Sequence, residues 1–347
     1  MHERARRRVK ATVAMVTLVA VAAMLLPLSV ANAATPMGMG GGGVVPLDPG
    51  WTQDPTYAQA KMDGRITRTA DGQVKILTQQ PLVAPMYASS YTLYTGATGQ
   101  ITEPKGQYGT DDAGYSYNDA SFWKFCGPGA TTVAFYYWSN SYWLTVTSGQ
   151  YVEPVNYGWH NNLYYYNTPP NYWNSSKGHS AILTMADYEL PGGDSWPHPG
   201  IMSWEYSPWD TANFGTPLNR VHDALNWETT APQSKNGFYV LVPSSSVSLS
   251  FLQLAAHQDI GNSHVPFVVA VNTKLANGEH LPQWTHSIWH YVAVVGYDDA
   301  AQTFTIIDTC GPSCSDQGPY GVGKVSQTWL TDLIKAIPDG SGGGLVW

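Results

Sequence analysis

The stretch FWKFCGPGATTVAFYYW, residues 122–138, combines a cysteine, a Gly-Pro-Gly turn and a run of apolar residues at helical spacing. Because proline is well tolerated in a first helical turn, the pattern predicts a helix that begins at Cys126. The unpaired amides of a helix N-terminus carry a partial positive charge, which favours a thiolate over a thiol. Cys126 is therefore a candidate nucleophile. A buried structural cysteine in front of a helix is the alternative.

A thiolate nucleophile needs an imidazole that accepts and returns its proton, and the imidazole needs a group that orients it. Two short apolar runs carry such groups: HYVAVVGYD, residues 290–298, begins with His290, and TFTIIDT, residues 303–309, contains Asp308 near its end. If these runs are antiparallel strands joined by a tight turn, the start of one lies beside the end of the other. The sequence thus predicts that His290 and Asp308 are neighbours, and His286 is a weaker candidate for the base.

The rest of the last third of the chain predicts further helices and strands around these two. Apolar residues behind several serines predict a helix over 244–257, and a third short strand is expected at 265–273. Another helix is expected over 326–337, where Pro338 stops it. Alternating residues around an Asp-Gly turn predict a β-hairpin over 65–77. Helices and strands in this order predict an α+β fold.

The N-terminus is typical of a secretory signal peptide. Basic residues precede an apolar run over 11–30, and Ala31-Asn32-Ala33 is the small-residue pattern that signal peptidase accepts. An uncleaved membrane anchor is the alternative, because the apolar run approaches the length of a membrane span. We therefore expect a secreted, extracellular protein with no stable membrane association after cleavage.

Charge and composition exclude several classes of function. The chain of 347 residues carries a net charge of −8, and removing residues 1–33 makes it more negative, since basic residues outnumber acidic ones there. Nucleic-acid phosphates and anionic lipids would repel such a protein, so neither is expected as a partner. Motifs of serine hydrolases, zinc peptidases and nucleotide-binding enzymes are absent from the sequence.

Three motifs together resemble those of a known family: CGP at the helix start, HYVAVVGYDD at a strand start and IIDTCGP at the next strand end. In this order they are similar to the papain-fold cysteine peptidases that process bacteriocins at double-glycine leaders, and especially to stand-alone secreted bacterial relatives. The similarity spans roughly residues 115–337. It implies a papain-like α+β fold, with the nucleophile at the N-terminus of a helix packed on an antiparallel sheet. It also implies that Cys126 is the nucleophile, His290 the general base and Asp308 the residue that orients it.

The chain departs from this family pattern at one position. The pattern places a Gln about six residues before the cysteine, where its side chain donates to the oxyanion, but this chain has Ala120 there. Asn118 is the nearest amide side chain and is the substitute we expect. Because losing such a donor costs on the order of 3 kcal/mol in the transition state, an inactive relative of the family is an open alternative.

The other two cysteines, Cys310 and Cys314, lie just beyond Asp308. In an exported protein they are expected to form a disulfide that holds the loop after Asp308. Two free thiols are the alternative, and a metal site is weakly supported because no second pair of ligands accompanies them.

We expect five parts along the chain: a signal peptide (1–33), a flexible Gly-rich linker (34–50), an N-terminal extension with a β-hairpin (51–104), a catalytic domain with an aromatic-rich insertion (105–338) and a flexible tail (339–347). The insertion, rich in Tyr and Trp, would either wall a substrate cleft or simply pack on itself.

The leading hypothesis is a secreted cysteine peptidase that hydrolyses amide bonds of a peptide or protein substrate through a thioester, with no cofactor and no metal. One alternative is a catalytically inactive papain-fold protein that binds peptide or glycan in an aromatic cleft. Another is transglutaminase-like acyl transfer, which uses the same order of Cys, His and Asp.

Overall fold

The structure is a computed structural model that mixes α-helices with β-sheet. It describes residues 44–68, 74–79, 87–93, 95, 109–110, 116–117, 126–138, 216–229, 237–310 and 321–347. Within these residues no helix has both the length and the hydropathy needed to cross a membrane. The predicted signal peptide, and the part of the aromatic-rich insertion over residues 139–215, lie outside the described residues.

The described strands and α-helices follow one another along the chain as β1 (Val44–Val45), α1 (Pro55–Met62), β2 (Ile66–Arg68), β3 (Val74–Ile76), β4 (Ser90–Thr92), β5 (Gly109–Thr110), β6 (Ser116–Tyr117), α2 (Cys126–Tyr136), β7 (Thr216–Pro217), α3 (Leu218–Thr229), β8 (Leu241–Pro243), α4 (Leu249–Ala255), β9 (Phe267–Asn272), β10 (Trp289–Asp298), β11 (Thr303–Asp308), β12 (Gly321–Ser326), α5 (Gln327–Lys335) and β13 (Gly344–Val346). A π-helical segment, Ala256–Asn262, continues α4.

Seven strands form the main sheet, in the order β12-β11-β10-β9-β13-β8, with β4 paired to the far end of β10. Every pairing in this sheet is antiparallel. Strands β9, β10 and β11 are rich in Val, Ala and Ile and are buried along almost their whole length, as expected where both faces of a sheet are covered. Helix α2 packs against these three strands.

The local patterns located most of these elements. The three predicted strands correspond to β9, β10 and β11, and the helices predicted at Cys126 and over 326–337 correspond to α2 and α5. The helix predicted over 244–257 begins later, because Ser248 rather than Ser244 caps it by accepting from the amide of Phe251. Ser244 instead donates to the carbonyl oxygen of Ile337 at 2.6 Å.

The prediction of a flexible tail over residues 339–347 is wrong. Strand β13 lies inside the main sheet between β9 and β8, and the side chain of Trp347 is fully buried. Gly344 has φ +144°, and a Cβ at that position would lie 2.2 Å from the carbonyl oxygen of Val242. The glycines there allow close packing of the backbone. The segment is therefore part of the core, although its composition is typical of a flexible segment.

The prediction of a flexible linker over residues 34–50 is wrong at its end. Val44 and Val45 are buried and form β1, which pairs in parallel with Thr216 and Pro217. Two valines can bury apolar side chains, whereas the glycines before them offer none. Residues 34–43 of the predicted linker lie outside the described residues.

The predicted N-terminal extension contains the expected hairpin, in which β2 and β3 pair antiparallel with Ile66 opposite Ile76. The described part of this extension is also built into the main body. Strand β4 adds to β10, and the Lys61 ammonium lies 2.7 Å from the carboxylate of Asp259, with both side chains buried. The described part of residues 51–104 therefore contributes strands and buried contacts to the same core as the sheet.

Candidate active site

The antiparallel pairing of β10 and β11 brings the start of one strand beside the end of the other. His290 is the second residue of β10, and Asp308 is the last residue of β11. The Nε2 atom of His290 lies 2.8 Å from Oδ1 of Asp308, and the histidine is fully buried. The structure thus brings together the His and Asp that the two motifs predicted to be neighbours.

Asp308 is held by two further donors. The indole nitrogen of Trp284 donates to Oδ2 at 2.8 Å, and the backbone amide of Cys310 donates to Oδ1 at 2.9 Å. The Trp284 ring also lies 5.0 Å from the ring of His290. Sequence reasoning missed Trp284, although a buried indole N–H needs an acceptor and this one lies six residues before the candidate base. Trp284 therefore covers the pair and fixes the carboxylate that orients the imidazole.

The hydrogen-bonding environment keeps the pair charged. Burial alone would raise the pKa of Asp308, but the charge of His290 and the hydrogen bonds from His290, Trp284 and Cys310 lower it below its ordinary value. Burial alone would lower the pKa of His290, but the charge of Asp308, then that of Cys126, and the hydrogen bond with Asp308 raise it well above its ordinary value. The imidazole is therefore a strong base that holds a proton readily.

Cys126 opens helix α2, as the sequence predicts, and it is the free cysteine of the described residues. Its side chain is fully buried. Since Asp308 occupies Nε2 of His290, Nδ1 is the nitrogen available to the sulfur. This nitrogen is buried and has no hydrogen-bond partner in the described part of the chain.

The two glycines after Cys126 allow the helix start to approach the strands. A Cβ at Gly127 would lie 2.5 Å from the side chain of Thr216, and a Cβ at Gly129 would lie 2.3 Å from Oγ1 of Thr309. Both distances are shorter than any real contact of a Cβ atom, so each position requires glycine. The Gly-Pro-Gly turn therefore packs the first turn of α2 between β7 and the residue that follows Asp308.

His286, the weaker candidate base, lies at a different place. Its ring is 5.2 Å from that of Trp284, in an edge-on arrangement, and its carbonyl oxygen accepts a hydrogen bond from Thr273. His290 is the histidine that bonds to Asp308. The geometry therefore favours His290 over His286 as the partner of Cys126.

Two predicted site residues lie outside the described residues: Asn118, the candidate oxyanion donor, and Cys314, the predicted disulfide partner of Cys310. Cys310 itself is buried, two residues after the end of β11. The Cys310–Cys314 disulfide and the role of Asn118 both stay predictions.

The three side chains have complementary chemistry. A thiol at a helix N-terminus can act as a nucleophile, a buried imidazole can accept its proton, and a carboxylate can hold the imidazole in one orientation. Comparison of the chain with protein-family models and with curated proteins gives no match. Function is therefore inferred from the positions and chemistry of Cys126, His290 and Asp308.

Proposed function

We propose that this protein is a cysteine-type peptidase with a papain-like fold, which hydrolyses amide bonds through Cys126, His290 and Asp308. One observation carries the proposal. Where α2 packs against β10 and β11, a free, buried cysteine at the helix start lies near enough to a hydrogen-bonded His-Asp pair for its charge to raise the pKa of His290. Structural cysteines need no such pair, whereas a thiolate nucleophile does.

The first half of the reaction forms a thioester. Nδ1 of His290 takes the proton from the Cys126 thiol, and the sulfur attacks the carbonyl carbon of a peptide bond, so that the carbonyl oxygen becomes an oxyanion. When this tetrahedral intermediate collapses, the C–N bond breaks and His290 gives its proton to the departing amine. Asp308 keeps the ring oriented and stabilises the imidazolium without taking the proton itself.

The second half releases the enzyme. His290 removes a proton from water, the hydroxyl attacks the thioester carbonyl, and the C–S bond breaks as the sulfur regains a proton. The products are a carboxylic acid and an amine, and no cofactor takes part. We propose a peptide or protein as substrate, because amide bonds of peptides are what this chemistry cleaves. We also propose that residues 1–33 direct secretion.

Digestion of casein and of a mixed peptide library tests this function. Protein that begins at residue 34 is incubated with each substrate, and mass spectrometry counts the new peptide ends. We expect cleavage by the wild type, none by Cys126→Ala or His290→Ala, and near-normal cleavage by His286→Ala, the matched neighbouring histidine. Equal product from wild type and Cys126→Ala would remove the proposal.

A second candidate is a catalytically inactive papain-fold protein that binds peptide or glycan. Ala120 favours it, because the family pattern has an oxyanion-binding Gln at that position. This candidate predicts that iodoacetamide reacts with Cys126 no faster than with a small-molecule thiol, and that ligand binding survives Cys126→Ser. Fast alkylation together with cleavage would exclude it.

A further inference from the structure

Thr216 places a buried hydroxyl group against Gly127, the residue that follows the proposed nucleophile. Its side chain is fully buried, and its Oγ1 atom has no hydrogen-bond partner in the described part of the chain. A Cβ at Gly127 would lie 2.5 Å from that oxygen, so the hydroxyl is packed against the residue that directly follows Cys126. An unpaired buried hydroxyl lowers the stability of the fold by about 1–3 kcal/mol, so a functional role for this group is the simplest explanation of its presence.

Neighbouring elements hold Thr216 in place. Its carbonyl oxygen accepts a hydrogen bond of 2.7 Å from the hydroxyl of Tyr291, the residue after His290. Burial, and then the negative charge of Cys126, raise the pKa of Tyr291 well above its ordinary value, so this hydroxyl stays protonated and donates. On its other side Thr216 pairs with Val44 of β1. The residue is thus tied to the strand that carries the candidate base.

We propose that the hydroxyl of Thr216 donates a hydrogen bond to the oxyanion that forms when Cys126 attacks a substrate; this inference rests on the proposed peptidase function. The oxyanion must form beside the nucleophile, where a donor that is fixed before the reaction stabilises it most. Thr216 would supply the side-chain donor that Ala120 lacks. The hydroxyl has no hydrogen-bond partner in the described residues, the Cys126 sulfur included, so it can donate to a group of the substrate.

Thr216→Val tests this role, because valine keeps the shape and removes the hydroxyl. Thr216→Ser keeps the hydroxyl, and Thr331→Val replaces a buried threonine of α5 as a matched control. The readouts are kcat and KM on a cleaved peptide, and the affinity of a peptide aldehyde, which forms a thiohemiacetal whose oxygen occupies the oxyanion position. Alkylation of Cys126 by iodoacetamide across pH reports on the sulfur alone.

We expect Thr216→Val to lower kcat about 100-fold with little change in KM, since removal of one oxyanion donor has an effect of this size. The affinity for the aldehyde should fall by a similar factor. Thr216→Ser should recover most of both, Thr331→Val should resemble the wild type, and the alkylation profile of Cys126 should not change. Thr216→Val should be at least as resistant to thermal unfolding as the wild type, because it removes an unpaired buried polar group.

Three outcomes would overturn the proposal, and they are distinguishable. If Thr216→Val keeps the wild-type kcat and aldehyde affinity, Thr216 is not an oxyanion donor, although the peptidase function stands. If Thr216→Val shifts the pH profile of alkylation, the hydroxyl acts on the sulfur instead. If the wild type cleaves no more than Cys126→Ala, the peptidase function fails and the role of Thr216 fails with it.

Discussion

The His290–Asp308 pair and the Lys61–Asp259 pair are both buried, but their carboxylates behave differently. Asp308 accepts hydrogen bonds from His290, Trp284 and the amide of Cys310, and its pKa is lowered. Asp259 has Lys61 as its partner, its Oδ2 has no hydrogen-bond partner in the described residues, and burial raises its pKa to about 6. The comparison shows that a buried carboxylate with several hydrogen-bond donors keeps a low pKa and stays ionised, whereas one with a single donor has a raised pKa.

The basic partners differ in the same way. Lys61 lies 3.3 Å from the centre of the Phe238 ring, and burial lowers its pKa to about 8. The surroundings of Lys61 are apolar and aromatic. Its ion pair with Asp259 joins α1 to the π-helical segment after α4. The pKa of His290 is instead raised well above its ordinary value, chiefly by the charge of Asp308 and then by that of Cys126. We infer that the first pair serves structure and the second serves catalysis.

Replacing each aspartate by asparagine should give the largest difference between the two pairs, measured as the change in kcat. Asp308→Asn should lower kcat about 10⁴-fold, because an amide no longer stabilises the imidazolium or fixes its tautomer. Asp259→Asn should leave kcat within a few-fold of the wild type, since Asp259 pairs with Lys61 of α1 and takes no part in the proposed reaction. Steady-state cleavage of a single peptide measures both. Equal losses in the two variants would end the distinction between the pairs.

Breaking the structural pair should change stability instead of chemistry. Lys61→Met leaves Asp259 buried without a partner, so the free energy of unfolding should fall by about 3–5 kcal/mol. Lys61→Met combined with Asp259→Leu should lose much less, because no charge then remains buried. Urea unfolding of the three proteins gives these values. A double variant as unstable as Lys61→Met would show that the charges themselves stabilise the fold.

Removing one donor from Asp308 should have a smaller effect. Trp284→Phe keeps an aromatic ring over His290 but deletes the hydrogen bond to Oδ2, and a bond to a charged group is worth about 1.5–3 kcal/mol. The pKa of Asp308 should rise, the pKa of His290 should fall, and kcat should drop about tenfold. NMR titration of ¹³C-labelled histidines follows His290. An unchanged titration would mean that Trp284 acts only as a cover.

The smallest effect is on how the free energy of unfolding depends on pH. Asp259 and Asp308 contribute slopes of opposite sign, each at most about 1.4 kcal/mol per pH unit. The pKa of Asp259 is raised to about 6, so its folded form holds a proton that the unfolded chain releases near pH 4, and this contribution is lost as pH rises from 4 to 6. The pKa of Asp308 is lowered, so its contribution is complete above about pH 4 and is lost on further acidification.

The contribution of His290 has its own window. Its pKa is raised, so its stabilisation is complete below about pH 6.5 and is lost as pH rises through the folded-state pKa. Unfolding free energies of the wild type, Asp259→Asn and Asp308→Asn between pH 3 and 7 separate the two aspartates. Parallel curves for the two variants would contradict the assigned directions.

The elements that carry the candidate site could be predicted from sequence because their signals are local. A glycine turn before an apolar helix located Cys126, and two β-strand patterns located His290 and Asp308, since antiparallel strands joined by a short turn must bring these ends together. The patterns that predicted α5 and the β2–β3 hairpin also lie within short stretches of sequence.

The remaining features depend on contacts between segments far apart in the chain. The tail has a flexible composition, but β13 occupies a gap between β9 and β8 that no local pattern reveals. Trp284 and Thr216 acquire their roles only where they meet Asp308 and Gly127. Sequence patterns specify the elements, whereas the partners of buried polar groups follow from tertiary packing.

The central claim is that Cys126 and His290 work as one proton-transfer pair. Its most direct test is the rate at which iodoacetamide alkylates Cys126 across pH in the wild type and in His290→Ala, with the modified residue mapped by mass spectrometry. We predict a wild-type rate that stays high well below pH 8 and a rate in His290→Ala that falls steeply there. Identical profiles, both resembling that of a small-molecule thiol, would contradict the claim.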